Sequence, residues 1–211
     1  MNAATESDLQ YVRRLSETGA RAPLLGGRYM ALWGALVALA YLAQHLAMRG
    51  VIADGDGIIY PAIWISMGVV GGIAQAALGR SRGTEAGAGS AGNLASRAAW
   101  RGAVFAILAF VLGTVVVVAN GDKQYTLFDG SIPLVFAVYS VALGVSGWLA
   151  GSPVAKTASI AATVMVALTA ALVGSPDIYL AAAIGAFLTV FVPGALLVRA
   201  EPGQPADMID G

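Results

Sequence analysis

The sequence predicts an all-α polytopic membrane protein: a compact bundle of six transmembrane helices in three hairpins, preceded by a short N-terminal amphipathic helix. Three observations carry this. Gly102–Gly121 holds no charged residue, while Arg101 and Asp122–Lys123 stand immediately outside it. At 1.5 Å per helical residue this stretch reaches about 30 Å, the thickness of a bilayer's hydrocarbon. Five further stretches have the same character, and only 11% of the 211 residues are charged, against about 25% in soluble domains.

Six spans of about 20 residues consume most of the chain, leaving no room for a separate soluble domain of ordinary size. The protein has no Cys, which excludes disulfides, thiol nucleophiles and thiolate metal sites. Its single His, His45, excludes any site that needs two imidazoles. Gly is abundant, at 27 residues. Small residues let helix backbones approach closely in lipid, where hydrophobicity gives no drive for association.

Taken in order, residues 1–27 form a polar tail. Ser7 and Gln10 have the spacing of a capping box, Leu9, Val12 and Leu15 recur at helical spacing, and Gly19 and Pro23 end the pattern. A short helix at the membrane surface is expected there. The membrane domain covers 28–198, with spans at 29–48, 58–79, 102–121, 131–151, 157–174 and 178–198. Pro61 falls in the first turn of the second span and Pro133 early in the fourth, where a missing N–H costs nothing; Pro193 should kink the sixth. Residues 80–101, rich in Gly, Ala and Ser, read as a flexible loop that regains helix near Leu94–Trp100. A polar tail, 199–211, follows.

Lys and Arg divide unevenly between the two sides. Arg13, Arg14, Arg21, Arg28, Arg80, Arg82, Arg97, Arg101, Lys156 and Arg199 make ten on one side, against Arg49 and Lys123 on the other. Ten against two is a positive-inside bias that puts both termini in the cytoplasm, and the Ala- and Gly-rich composition suggests a bacterial source, hence an inner membrane. Asp56, Asp129 and Asp177 each open an outside-to-inside helix, which hints at three related hairpins.

Candidate sites are few. Five carboxylates (Asp54, Asp56, Asp122, Asp129, Asp177) face outward, and capping of helix N-termini accounts for them better than a cation site does. His45, beside Gln44 and one turn from Tyr41, lies near the outer end of the first span; with Trp64 of the second it forms the candidate ligand or sensing set. Arg13, Arg14, Arg80 and Arg82 are candidate contacts for a protein partner. Gly87–Gly92 has GxGxxG spacing but no strand before it, so it reads as a linker. No cofactor, metal or nucleic acid is expected, and membrane lipid is the obligatory partner. No charged residue lies at mid-depth, which argues against a proton relay or a charged pore. Small-xxx-small pairs (Ala31/Ala35, Gly68/Gly72, Gly147/Gly151, Ala158/Ala162) support tight packing and allow oligomerisation.

Two resemblances bear on function. Gly144-Val145-Ser146-Gly147 resembles the GxSG of rhomboid proteases, but that family's base is a His on the sixth span, which here has none. Ser140, Gly144, Gly147 and Gly151 read instead as a packing face. In size and topology the chain resembles the substrate-capturing subunit of energy-coupling-factor importers, whose first span meets its partner through an Ala-xxx-Ala stripe; Ala31/Ala35 would take that part. The leading expectation is a non-enzymatic inner-membrane protein acting through protein–protein contacts, as a regulatory, accessory or assembly subunit. The alternative is a small transport or solute-binding protein for a neutral or apolar ligand.

Overall fold

The computed structural model describes residues 24–52, 57–80, 89–120 and 126–200, and the described residues are almost wholly helical, with no strand among them. Six helices are long and apolar enough to cross a membrane. They are α1 (Gly27–Met48), α2 (Ile59–Arg80), α3 (Ala91–Ala119), α4 (Thr126–Leu149), α5 (Pro153–Ala171) and α6 (Asp177–Ala200). The expected N-terminal helix, together with Arg13, Arg14 and Arg82, lies outside the described residues.

Successive helices run antiparallel, so the described charges sort to two ends. Arg28, Arg80, Arg97, Arg101, Lys156 and Arg199 mark one, the basic end; Arg49, Asp129 and Asp177 mark the other, the acidic end. All the described carboxylates therefore stand at the acidic end.

Neighbours follow the order α2, α1, α6, α5, α4, α3. Consecutive pairs expected as hairpins do touch, but the most extensive packing joins α4 to α5 and α1 to α6. Glycine explains both joints. A Cβ on Gly34 of α1 would strike the backbone nitrogen of Phe191 and lie 2.7 Å from its Cα; one on Gly194 of α6 would strike the Ala31 nitrogen. A Cβ on Gly147 of α4 would come within 2.7 Å of the Lys156 nitrogen on α5. At these crossings backbone meets backbone, as small residues permit in lipid. Ser140 and Ser159 add reciprocal bonds across α4 and α5, each hydroxyl donating to the other's carbonyl at 3.2 and 2.8 Å.

The outer helices are attached differently. α2 meets α1 along a narrow seam in which Gly71 alone is fully buried. α3 packs chiefly on α4, its less exposed residues (Ala103, Ile107, Val111, Thr114 and Val118) recurring every three to four positions as one helical face, and leaves Phe105, Leu108 and Leu112 exposed.

Two expectations need correcting, and α6 shows one further feature. The helix expected near Leu94–Trp100 starts earlier, at Ala91, and runs without a break into the third span: Ser90 caps it by accepting from the Asn93 N–H, and Gly92, Asn93 and Ser96 are buried against neighbouring segments. Gly92 faces Ala150, and the Asn93 side chain accepts from the Leu25 N–H at 3.0 Å. α4 begins at Thr126 rather than Ser131, so Pro133 sits inside the helix and leaves the Asp129 carbonyl without its ordinary helical donor. In α6 the region before Pro193 is a π-turn, Phe187–Phe191, where Val192 N–H donates to the Phe187 carbonyl. Pro193 cannot bond Thr189, so widening the turn accommodates the missing donor.

Candidate functional site

The acidic end of the helix row gathers the polar side chains that the sequence singled out, and it does so on four helices. On α1, Tyr41 is followed one turn later by Gln44, which meets α2, and by His45, which meets the start of α6. Trp64 of α2 donates its indole N–H to Gln44 Oε1 at 2.5 Å, and its ring meets Tyr41 edge-on, with centroids 4.9 Å apart. A buried amide beside an indole is a satisfied pair, each polar atom removed from lipid by the other. His45 lies 3.1 Å through Nδ1 from the Pro176 carbonyl at the start of α6. A carbonyl can only accept, so Nδ1 carries the proton and Nε2 is the acceptor in the neutral ring. One turn further, Arg49 pairs with Asp177, both half-exposed.

Behind this layer lies a pairing the sequence did not disclose. The Asp129 carboxylate, 9% exposed, accepts from the Tyr179 hydroxyl at 2.5 Å and from the Gly174 N–H at 3.3 Å. Asp129 is thus not a cap for its own helix, as its place in the first turn of α4 implied; it ties α4 to α6 and to the turn after α5. No Lys or Arg among the described residues pairs with it. Tyr41 and Tyr179 are also neighbours, with centroids 6.4 Å apart, so the aromatic rings connect the Gln44–Trp64 pair to the Asp129–Tyr179 pair. Asp177 opens α6 as expected, and its partner is Arg49. Asp54, Asp56 and Asp122 lie outside the described residues.

The arrangement binds the acidic end together. Tyr41, Ile132, Phe136, Ile178, Tyr179 and Ala182 fill one continuous core beneath it. Two surface grooves lie outside this core, the first beside it on the α1–α2 seam. One, of about 260 Å³, runs between α1 and α2 past Leu36, Ala43 and Met67; the other, of about 350 Å³, runs between α5 and α6 near the basic end. Neither contains Tyr41, Gln44, His45 or Trp64.

The remaining candidates are placed as follows. Arg80 is exposed at the last residue of α2. Ser146 is buried, with Oγ 2.6 Å from the Ala142 carbonyl and 2.8 Å from Ser96 Oγ, and His45 lies at the opposite end of the helix row. Ser146 therefore stands in a packing contact between α3 and α4. Among the small-residue pairs, Ala31 stands against Gly194 of α6, and Ala158 and Ala162 are buried in the core. A Cβ on Gly68 or Gly72 would meet nothing within 4 Å, so that pair faces outward from α2. Among the described residues, no group of three or more His, Cys, Asp or Glu could hold a metal ion.

No family model, curated protein or solved structure matches the chain.

Proposed function

We propose that this chain is a non-enzymatic integral protein of a bacterial inner membrane, with both termini cytoplasmic, that works through contacts with another protein as a regulatory, accessory or assembly subunit. The observation that carries the reading is the closure of the acidic end. The side chains best suited to hold a solute there (Tyr41, Gln44, His45 and Trp64) are engaged with one another or with Pro176. What the protein offers outward is helix surface: Ile65, Val69 and Ile73 on α2, and Phe105, Leu108 and Leu112 on α3, all well exposed. The orientation rests on the division of charge, ten basic residues against two.

The alternative reading, a transport or solute-binding protein akin in size and topology to an importer's capture subunit, draws on the same six helices. Its motif residue Ala31 is already engaged by α6, and a solute would have to part Tyr41 from Trp64. Gly68 and Gly72 keep a self-associating role open for α2, within the same contact-based function.

The test is site-specific photo-crosslinking in native membranes, with the probe placed in turn at Val69, Ile73, Phe105 and Leu112. The reading expects one protein adduct of constant mass from several positions on one helix face, and none from a probe at Leu39 on α1. Lipid adducts alone from all four outer positions contradict it.

A further inference from the structure

The groove between α5 and α6 differs from the one between α1 and α2 in ways that bear on what fills it. Pro153, Thr157 and Ala161 form its α5 wall; Leu188, Pro193 and Leu196 form its α6 wall. The α6 wall depends on the π-turn. Residues 188 and 193 are five apart, a spacing that turns them to different faces of a regular α-helix but brings them onto one face where the helix widens to i→i+5 bonding. The groove therefore has three α6 side chains in line, with about 350 Å³ of open space in front of them.

Length and charge select the occupant. From residue 153 to residue 161 the groove runs about 12 Å, less than half of a hydrocarbon core of about 30 Å. A partner's transmembrane helix needs a track through the whole bilayer, whereas a lipid tail needs one leaflet only. The groove opens at the basic end, where Pro153 begins α5. Arg199, one turn beyond Leu196 on α6, is exposed there. Lys156 is held at the same end with its ammonium 4.3 Å from the centre of the Trp148 ring. The α1–α2 groove, by contrast, is lined by Leu36, Ala43, Ile63 and Met67, mostly in the acidic half of those helices, with no charged residue among its lining.

We infer that the α5–α6 groove is a binding site for one acidic phospholipid of the leaflet at the basic end, its acyl chain lying between Ala161 and Leu188 and its phosphate at Arg199. The inference is independent of the protein-contact reading, since a lipid bound here touches neither the α2 nor the α3 outer face.

Native mass spectrometry of the full chain in detergent, mixed with phosphatidylglycerol or with phosphatidylcholine of the same chain length, tests it. The wild type should retain phosphatidylglycerol several-fold better than phosphatidylcholine. Ala161→Trp, which fills the groove, should abolish retention of both. Arg199→Gln should keep retention but erase the preference between headgroups. Leu196→Trp serves as a second groove-filling variant, and retained helix signal and elution volume establish that each variant is folded. Equal retention of the two lipids by the wild type, or undiminished phosphatidylglycerol retention by a folded groove-filling variant, overturns the inference. A protein adduct in place of a lipid adduct from a photo-probe at Thr157 does the same.

Discussion

Glycine does opposite things on α1 and α2. On α1, Gly34 lies so close to the Phe191 backbone that no side chain fits; on α2, Gly68 and Gly72 have nothing within 4 Å of where a Cβ would stand. Both sets lie in apolar helices of 22 residues, and the sequence around each reads alike. The difference is one of position in the row of helices. α1 with α6, and α4 with α5, close through backbone-to-backbone crossings, while α2 and α3 stand at the two ends of the row with one principal neighbour each. Close packing in lipid is thus concentrated in these two pairs, and the two outer helices present their faces to the surroundings.

That contrast can be broken by substitution, beginning where the effect should be largest. Gly147→Val places two methyl groups and a Cβ against the Lys156 and Ala155 backbone, which cannot yield as a flexible side chain can. Overpacking of this kind costs roughly 1–3 kcal/mol, and more where backbone must move. The variant should show a marked fall in thermal unfolding midpoint in detergent, with α4 and α5 parted. If the midpoint is unchanged, the close crossing is not what holds these helices.

Next in size is the buried carboxylate. Tyr179→Phe leaves Asp129 with the Gly174 N–H as its remaining donor, and an unsatisfied buried polar group costs about 1–3 kcal/mol. Asp129→Asn keeps the shape and removes the charge. The double variant should therefore be less destabilised than the sum of the singles. Strict additivity, measured in a double-mutant cycle, would deny the pairing.

Smaller still is the ion pair at the acidic end. Arg49 and Asp177 are about half-exposed, so solvent screening limits their coupling to about 0–1 kcal/mol. A cycle through Arg49→Gln and Asp177→Asn should give a coupling that shrinks as salt rises. A large, salt-independent coupling would mean that the end is more enclosed than described.

How far the sequence revealed this follows from the kind of signal each feature leaves. Spans are written in composition, so six apolar helices were legible at once, as was the uneven division of charge. The N-terminal eleven residues of α3 were legible only in part: helix was expected near Leu94–Trp100, but not its start at Ala91 nor its continuity with the span. Ala91–Arg101 is too small-chained and too interrupted by Arg to read as membrane, and its order comes from partners: Gly92 against Ala150, Asn93 with Leu25, Ser96 with Ser146. Ser90 with Asn93 was the one local signal of its start. Pairing order was hidden because Gly and Ala matches occur in nearly every span, and only coordinates separate Gly34 from Gly72. At the candidate site, Tyr41, Gln44, His45 and Trp64 stood out as polar or aromatic groups near one end of their spans. Asp129 did not, because an acid in the first turn of a helix already has an ordinary role. Pro133 four residues later, which frees the Asp129 carbonyl, was the available hint that this turn is unusual.

The same substitution on the two faces tests the central contrast most directly: Gly34→Val and Gly72→Val, each compared with the wild type by thermal unfolding in one detergent. The account predicts that Gly34→Val unfolds at a much lower temperature or fails to assemble, while Gly72→Val stays within the roughly 0.5 kcal/mol typical of surface changes. Equal losses in the two variants, or a loss confined to Gly72→Val, would contradict it.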